Sequence, residues 1–413
     1  MKFATRAVHA GLTPDPYTRG VVPAIHQATT YVQPAPGDFV EDYDYSRSAN
    51  PTRHALEIAL GELEGGHASA FSSGMAAEHA LITAHCSAGD HIVVPDDLYG
   101  GTYRLVDKVL ARWGLAYTIV DQRDLDAVAA AIRPETKLVW VETPTNPTLK
   151  TVDITEIVAR AGDALVAVDN TFATPVNQLP LELGAGAVAH STTKYLGGHS
   201  DTVGGAVIVT DPELHERVRF VQNAIGAVPG PLDCFLVHRG LRTLHLRMAA
   251  HGVNGRRCAD FLAFTEGVGE VFYPGFGGMV SFRHPEATRI AGATKLFSLA
   301  ESLGGVESLI EVPQAMTHQS VEGSAAAVPP DLVRLSCGIE DPDDLVADLV
   351  QALRGSAFLA RMSSFLTVTA EMPVLAHFLP WILVSLPETC TRSPAAGVVW
   401  LRGWKRTRAL SNE

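Results

Sequence analysis

Between about residue 67 and residue 210 short apolar runs alternate with stretches of helical periodicity. The runs fall at 68–71, 91–95, 117–120, 138–142, 164–168, 188–190 and 206–209, and 101–113, 125–132 and 154–161 are among the helical stretches. Strands separated by helices at this spacing predict a mostly parallel, doubly wound sheet of seven strands. Ligands of such sheets sit beyond the carboxyl ends of the strands. Ser73, Tyr99, Asn146, Asp169 and Ser191 all fall at or just after predicted strand ends.

The flanking patterns differ. Residues 1–50 are rich in Pro, Gly, Thr and Tyr, with little helical periodicity, and read as an extended arm suited to reaching a neighbouring subunit. A long helical pattern at 231–264 leads into an α+β region, with strands at 278–282 and 331–337 and helices at 288–296 and 342–353. The expected organisation is an arm (1–50), a large domain (51–235), a smaller α+β domain (236–355) and an atypical tail (356–413). In the tail, 374–386 is nearly continuous apolar sequence broken by His377 and Pro380, too short to span a bilayer.

Composition narrows the function. A net charge of −13 argues against a nucleic-acid partner, and 46% hydrophobic residues suit a globular protein with a sizeable core. The five cysteines, Cys86, Cys234, Cys258, Cys337 and Cys390, have no CxxC spacing. With no apolar signal segment at the start, they read as reduced thiols of a cytoplasmic protein. No metal site is expected, since His190 and His199 lack ligand spacing with any Cys or carboxylate cluster. The chain has no GxSxG, Walker loop or strand-linked GxGxxG.

The chemistry concentrates around Lys194, in the run His190-Ser191-Thr192-Thr193-Lys194-Tyr195-Leu196-Gly197-Gly198. A lysine after small hydroxyl residues can form a Schiff base with an aldehyde cofactor while its neighbours hold a phosphate. Upstream, Val166-Ala167-Val168-Asp169 reads as a buried strand ending in a carboxylate, which can pair with a protonated pyridine nitrogen. Together they are the protein's share of pyridoxal 5'-phosphate chemistry. Ser73, Gly74 and Met75 open a helix whose N-terminus suits a phosphate, and Ser191 and Thr193 complete that cradle. Tyr99 is placed to stack on the cofactor ring. Arg334 interrupts an apolar strand and wants a planar anion; a substrate α-carboxylate is favoured over a structural ion pair.

These residues, with Tyr45-Ser46-Arg47, Asn50-Pro51-Thr52, Glu142-Thr143-Pro144-Thr145-Asn146-Pro147, Glu301-Ser302-Leu303-Gly304-Gly305 and Met316-Thr317-His318, make the chain resemble the trans-sulfuration enzymes of cysteine and methionine metabolism. That pyridoxal-phosphate group includes cystathionine γ-synthase and cystathionine γ-lyase. The resemblance runs from about residue 4 to 355. It implies a fold type I enzyme built as a homotetramer, with Lys194 and Tyr99 catalytic. It implies that Tyr45 and Arg47 reach the neighbour's cofactor, and that Asn146, Ser302 and Arg334 handle the cofactor edge and the α-carboxylate of a small amino-acid substrate. Arg104 matches a position near the distal end of that substrate. Glu301 matches a place that favours γ-chemistry on cystathionine, in synthesis or in cleavage; a related enzyme acting on another homoserine ester is the alternative within the class.

Three departures stand against the resemblance. Gly186 occupies a place where the family usually has Asp. A loop and helix of about twenty residues expected after Phe272-Tyr273-Pro274-Gly275 is missing, and the tail has no counterpart. The missing segment and the tail motivate an alternative from a different class, a non-catalytic family member serving as an assembly subunit.

Overall fold

Strands β1 (His67–Phe71), β2 (His91–Pro95), β3 (Ala116–Val120), β4 (Thr136–Glu142), β5 (Leu165–Asp169), β6 (Ala187–His190) and β7 (Gly205–Val209) are short and rich in Val, Ile and Ala. In the central strands nearly every residue is buried, as expected for a sheet covered on both faces. The computed structural model describes residues 1–40, 43–324 and 326–354. The seven strands lie in the order β1-β7-β6-β5-β4-β2-β3. Only β7 breaks the parallel pattern, running antiparallel to β1 and β6. The sheet is therefore mostly parallel, as the periodicity predicts.

Helices α1 (Phe3–His9), α2 (Pro51–Glu64), α3 (Gly74–His85), α4 (Gly100–Tyr103), α5 (Leu125–Ala131), α6 (Ile154–Arg160), α7 (Thr174–Asn177), α8 (Pro212–Ile225), α9 (Pro231–Leu241) and α10 (Leu244–Ala263) accompany it. Their starts follow local chemistry. Asn50 caps α2 by accepting from the Thr52 and Arg53 N–H groups, with Pro51 in the first turn. Ser73 caps α3, its Oγ accepting from the Ala76 N–H at 3.0 Å. Asp124, Asp153 and Asp211 cap α5, α6 and α8 in the same way.

A second sheet comprises β8 (Val271–Phe272), β9 (Met279–Arg283), β10 (Ser298–Leu299), β11 (Leu309–Glu311) and β12 (Leu332–Ser336), ordered β10-β11-β12-β9-β8. Helices α11 (Ala287–Ala291) and α12 (Pro342–Leu353) complete this region. Residues Met1–Ala352 form one compact unit. The 235/236 boundary drawn from the sequence lies inside α9.

Several expectations need correction. The arm contains a helix, α1, whose Ala7 is buried against α2 and α10. The stretch 101–113 is α4 followed by a π turn at Arg104–Val109 and a 3-10 turn at Leu110–Trp113, not one regular helix. The pattern at 231–264 is two helices broken at Arg242 and Thr243. The helix expected at 288–296 stops at Gly292, because buried Asp348 of α12 accepts the N–H groups of Lys295, Leu296 and Phe297 and bends the chain there.

After β8 the chain returns at once into β9, pairing Val271 with Phe282 and Phe272 with Ser281. Gly275 and Gly277 supply the positive φ angles (95° and 68°) that this turn requires. The turn lies directly on α10: a Cβ on Gly255 would stand 2.3 Å from the Gly277 oxygen. At Gly186 a Cβ would meet the Leu165 side chain at 2.4 Å, so that leucine occupies the space of the expected Asp.

Cys86, Cys234, Cys258 and Cys337 are free thiols, and Cys390 lies outside the described residues, as do the tail and its apolar run. Among the described residues no helix is long and apolar enough to cross a membrane, and no group of His, Cys, Asp and Glu is placed to hold a metal.

Candidate active site

The carboxyl ends of β1, β4, β5 and β6 converge with the second sheet. β4 and β5 are neighbours in register, so Glu142 and Asp169 stand side by side. β5 and β6 pair Asp169 with Ala189, which brings the loop carrying Ser191, Thr193 and Lys194 beside the Asp169 carboxylate. The N-terminus of α3 packs on that loop; a Cβ on Gly74 would lie 2.9 Å from Ser191 Cβ.

Lys194 Nζ donates to Ser302 Oγ at 2.7 Å. Burial lowers its pKa to about 8, and the nearby Arg334 charge acts in the same direction. Ser302 holds a φ of 90°, a left-handed conformation that costs a non-glycine residue energy. Its carbonyl oxygen accepts from Arg334 Nη2 at 3.0 Å. One strained residue thus ties the lysine amine to the arginine guanidinium.

Asp169 Oδ1 accepts from the Thr171 N–H at 2.9 Å. Burial raises its pKa and the Thr171 hydrogen bonds oppose the rise. Among the described residues no Lys or Arg ion-pairs with it. The Tyr99 N–H lies 3.1 and 2.9 Å from the two oxygens of Glu142. The Tyr99 ring lies over Gly101, where a Cβ would stand 2.4 Å from Cε1, and its phenol is pushed up by burial. Two further buried acids surround this floor. Burial, then the Asp169 charge, raises Glu78 to about 8 and pushes Glu142 well up.

Arg334 is buried and has three partners. Besides Ser302, it donates to Asn146 Oδ1 at 2.8 Å and lies 3.0 Å from Glu311 Oε2. The structural ion pair weighed against a substrate role in the sequence is therefore present, formed across the β11–β12 pairing of Glu311 with Arg334.

The other candidates are more dispersed. The Thr193 hydroxyl exchanges hydrogen bonds with the Gly204 backbone at 3.2 and 3.0 Å. The Ser191 N–H donates to Thr171 Oγ1 at 2.9 Å. Glu301 is exposed, near enough for its charge to act on Lys194 and Tyr99. Exposed Arg104 donates to Ser320 Oγ at 3.0 Å. Tyr45 and Arg47 stay on the arm: Arg47 Cζ sits 5.3 Å over the Tyr45 ring, and its Nε donates to Asn223 at 3.0 Å. Sequence reasoning missed the buried side chains of Glu78 and Glu311. It quoted Glu142, Thr317 and His318 only as motif letters; a charged residue inside an apolar run, as in Leu309-Ile310-Glu311, was the available signal.

These residues fit pyridoxal 5'-phosphate. Asp169 is a half-buried carboxylate with no Lys or Arg paired to it among the described residues, a match for a pyridinium. The first N–H groups of α3 have no intrahelical acceptor and face the Ser191 loop, a match for a phosphate. Lys194 is a half-buried amine of lowered pKa, a match for an aldehyde.

Fold and site together define a pyridoxal-phosphate enzyme of fold type I. The chain belongs to the Cys/Met metabolism PLP-dependent enzyme family, which matches residues 4–354. It is 54% identical over 373 residues to a cystathionine gamma-synthase of Mycobacterium tuberculosis, covering 85% of this chain and 96% of the relative. A cystathionine beta-lyase of Lactococcus lactis is 48% identical over 374 residues (84% and 98%). A cystathionine gamma-lyase of Bacillus subtilis is 48% identical over 378 residues (86% and 99%). The crystal structure of metB from Corynebacterium glutamicum superposes with a TM-score of 0.84 at 48% identity, covering 86% of this chain and 98% of that one. The mycobacterial alignment runs over 373 positions while covering 85% of the 413 residues here, about 351, so about twenty aligned positions lack a residue in this chain.

Proposed function

We propose that this enzyme carries out γ-replacement or γ-elimination in sulfur amino-acid metabolism, making cystathionine from an O-acyl-homoserine and cysteine or cleaving it. The observation that carries the reading is the double role of Ser302. Its hydroxyl accepts from Lys194 and its carbonyl from Arg334. The amine that moves protons and the guanidinium that holds the substrate α-carboxylate are thereby set at a fixed separation.

Bound pyridoxal phosphate supplies an aldehyde for the substrate amine and a ring that accepts electrons. The chain's residues do the rest. Lys194 holds the cofactor at rest and, once free, carries protons between substrate Cα and Cβ; a pKa of about 8 leaves about half of it neutral at pH 8. Asp169 supplies the counter-charge to the ring nitrogen. Tyr99, kept neutral by burial, stacks on the ring. Ser73, Gly74, Met75, Ser191 and Thr193 surround the phosphate. Arg334 and Asn146 orient the α-carboxylate, while Glu301 and Arg104 meet the distal end. Glu301 supports γ-chemistry over the β-lyase activity that one relative's name carries.

We place the enzyme in the cytoplasm as a homotetramer. Tyr45 and Arg47 complete the site of a neighbouring copy, which suits an arm whose hydrogen bonds bypass Lys194 of its own chain. The roughly twenty absent positions favour the second reading, an impaired assembly subunit. The test is the visible spectrum of the purified protein with added pyridoxal phosphate, followed by product analysis with O-succinyl-homoserine plus cysteine and with cystathionine alone. Cofactor absorbance with turnover of either mixture, both lost in Lys194→Ala, supports the enzyme. A protein that gains no absorbance overturns it in favour of the assembly subunit.

A further inference from the structure

Behind Arg334 five side chains and one carbonyl close a mostly buried ring. Arg334 Nη2 lies 3.0 Å from Glu311 Oε2. Thr317 Oγ1 lies 2.8 Å from Glu311 Oε1 and 2.8 Å from His318 Nδ1. His318 Nε2 lies 3.2 Å from the Asn146 carbonyl oxygen, and Asn146 Oδ1 accepts from Arg334 Nη1. Glu311, His318, Asn146 and Arg334 are all at most 6% exposed.

The ring does not have enough protons in its ordinary charge state. The contacts Glu311–Thr317, Thr317–His318 and His318–Asn146 each need one. A hydroxyl brings one, a neutral imidazole one, and a carboxylate and a carbonyl none. With the Nε2–H tautomer Thr317 can serve Glu311 or His318 but not both; with the Nδ1–H tautomer the Asn146 carbonyl faces a bare nitrogen. One additional proton satisfies all three contacts.

Where that proton sits is decided by the surrounding charges. Burial, and then the charges of Arg334 and Arg104, hold His318 down to about 4. Glu311 faces Arg334, Lys194 and Glu301; burial raises its pKa and the Arg334 charge opposes the rise. Of the two, Glu311 is the group held up, and it takes the proton most readily when another anion takes over Arg334.

We infer that Glu311, Thr317 and His318 are positioning residues that exchange one proton with solvent as Arg334 changes partner. A ligand carboxylate arrives with one proton. The carboxylate pairs with Arg334, and the proton goes to Glu311. Glu311 then donates to Thr317, Thr317 donates to His318 Nδ1, and His318 Nε2–H donates to the Asn146 carbonyl. Charge balances: one anion and one proton enter, and the Glu311 carboxylate becomes a neutral acid. Arg334 is compensated in both states, and the buried site never holds an uncompensated charge.

The inference rests on Arg334 as the carboxylate site, and the experiment separates the two. The probe is propionate, a carboxylate without an amine, titrated into the holoenzyme by calorimetry between pH 6 and 9 in buffers of different ionisation enthalpy. The wild type should take up close to one proton per propionate, its affinity falling up to about tenfold per pH unit. Glu311→Gln should bind more tightly and lose that uptake. Thr317→Val, which leaves the ion pair in place, should reduce it, and serves if the first variant does not fold. The difference from wild type cancels other titrating groups. Equal proton uptake in wild type and a folded, cofactor-loaded Glu311→Gln or Thr317→Val would overturn the ring. Propionate affinity unchanged in Arg334→Leu would overturn the carboxylate site itself, and the ring with it.

Discussion

The hydroxyl of Ser302 is the one hydrogen-bond acceptor given to Lys194 Nζ by a side chain among the described residues, at 2.7 Å. Removing it shifts the lysine's proton equilibrium by a calculable amount. A hydrogen bond to a charged group is worth about 1.5–3 kcal/mol and one to a neutral group about 0.5–1.5 kcal/mol. The ammonium therefore loses about 1 kcal/mol more than the free amine, and a pKa unit is about 1.4 kcal/mol. Ser302→Ala should lower the Lys194 pKa from about 8 by a little under one unit. Ser302→Gly should give the same shift while relieving the backbone at φ 90°. Comparing the two separates the hydroxyl from the strain. The assay is the rate at which apoenzyme regains cofactor absorbance as a function of pH, since only the free amine attacks the aldehyde. The midpoint of the acidic limb should move to lower pH in both variants, and Ser302→Gly should be the more stable of the two. An unmoved midpoint in two folded variants would refute the role of the hydroxyl.

Other outcomes follow from the same geometry. Glu78 has a folded pKa raised to about 8, so above the unfolded value near 4.5 the unfolded chain binds fewer protons and stability falls as pH rises toward 8. Glu78→Gln should flatten this loss, stabilising the apoenzyme by up to about 3 kcal/mol at pH 7 and little at pH 4, read from denaturant melts. His190→Ala takes the ring partner from the buried Glu64 side chain, leaving it the Asn170 amide, and should cost about 1–3 kcal/mol in the same melts. Gly101→Ala drives a methyl into the Tyr99 ring and the Met75 sulfur, and should weaken cofactor binding at least about tenfold while moving the melting midpoint little. Equilibrium dialysis of the cofactor checks it.

About twenty positions present in the mycobacterial relative have no residue here, and the β8–β9 connection is a direct glycine turn seated on α10. The cluster around Lys194, Asp169 and Arg334 lies at the strand ends of the large sheet and on β12, and no hydrogen bond from Lys194, Asp169 or Arg334 reaches that turn. This supports an active enzyme over an assembly subunit.

The strands of the large sheet were legible because an apolar run between Gly, Pro and Asp punctuation is a local property; β2 was read to the residue. Lys194 and Asp169 stood out in the sequence because the chemistry assigned to them needs particular neighbours within a few positions. Helix α1 was not, since seven residues of weak periodicity are stabilised by burying Ala7 against distant helices. The end of α11 was hidden for a similar reason: Asp348, about fifty residues further on, captures the N–H groups there. At the site, a lone Arg in an apolar strand announced an anion, but whether Glu311, a substrate or both would meet it depended on the register of β11 against β12. The contacts of Ser302 with Lys194 and of Arg334 with Asn146 join residues 108 and 188 positions apart, and Glu311, Thr317 and His318, close in sequence, meet Arg334 and Asn146 only in the fold. Sequence determines which groups can do chemistry, because that is a property of single side chains and their near neighbours. The tertiary structure decides how their charges are balanced, because burial and distance do not exist until the chain has closed on itself.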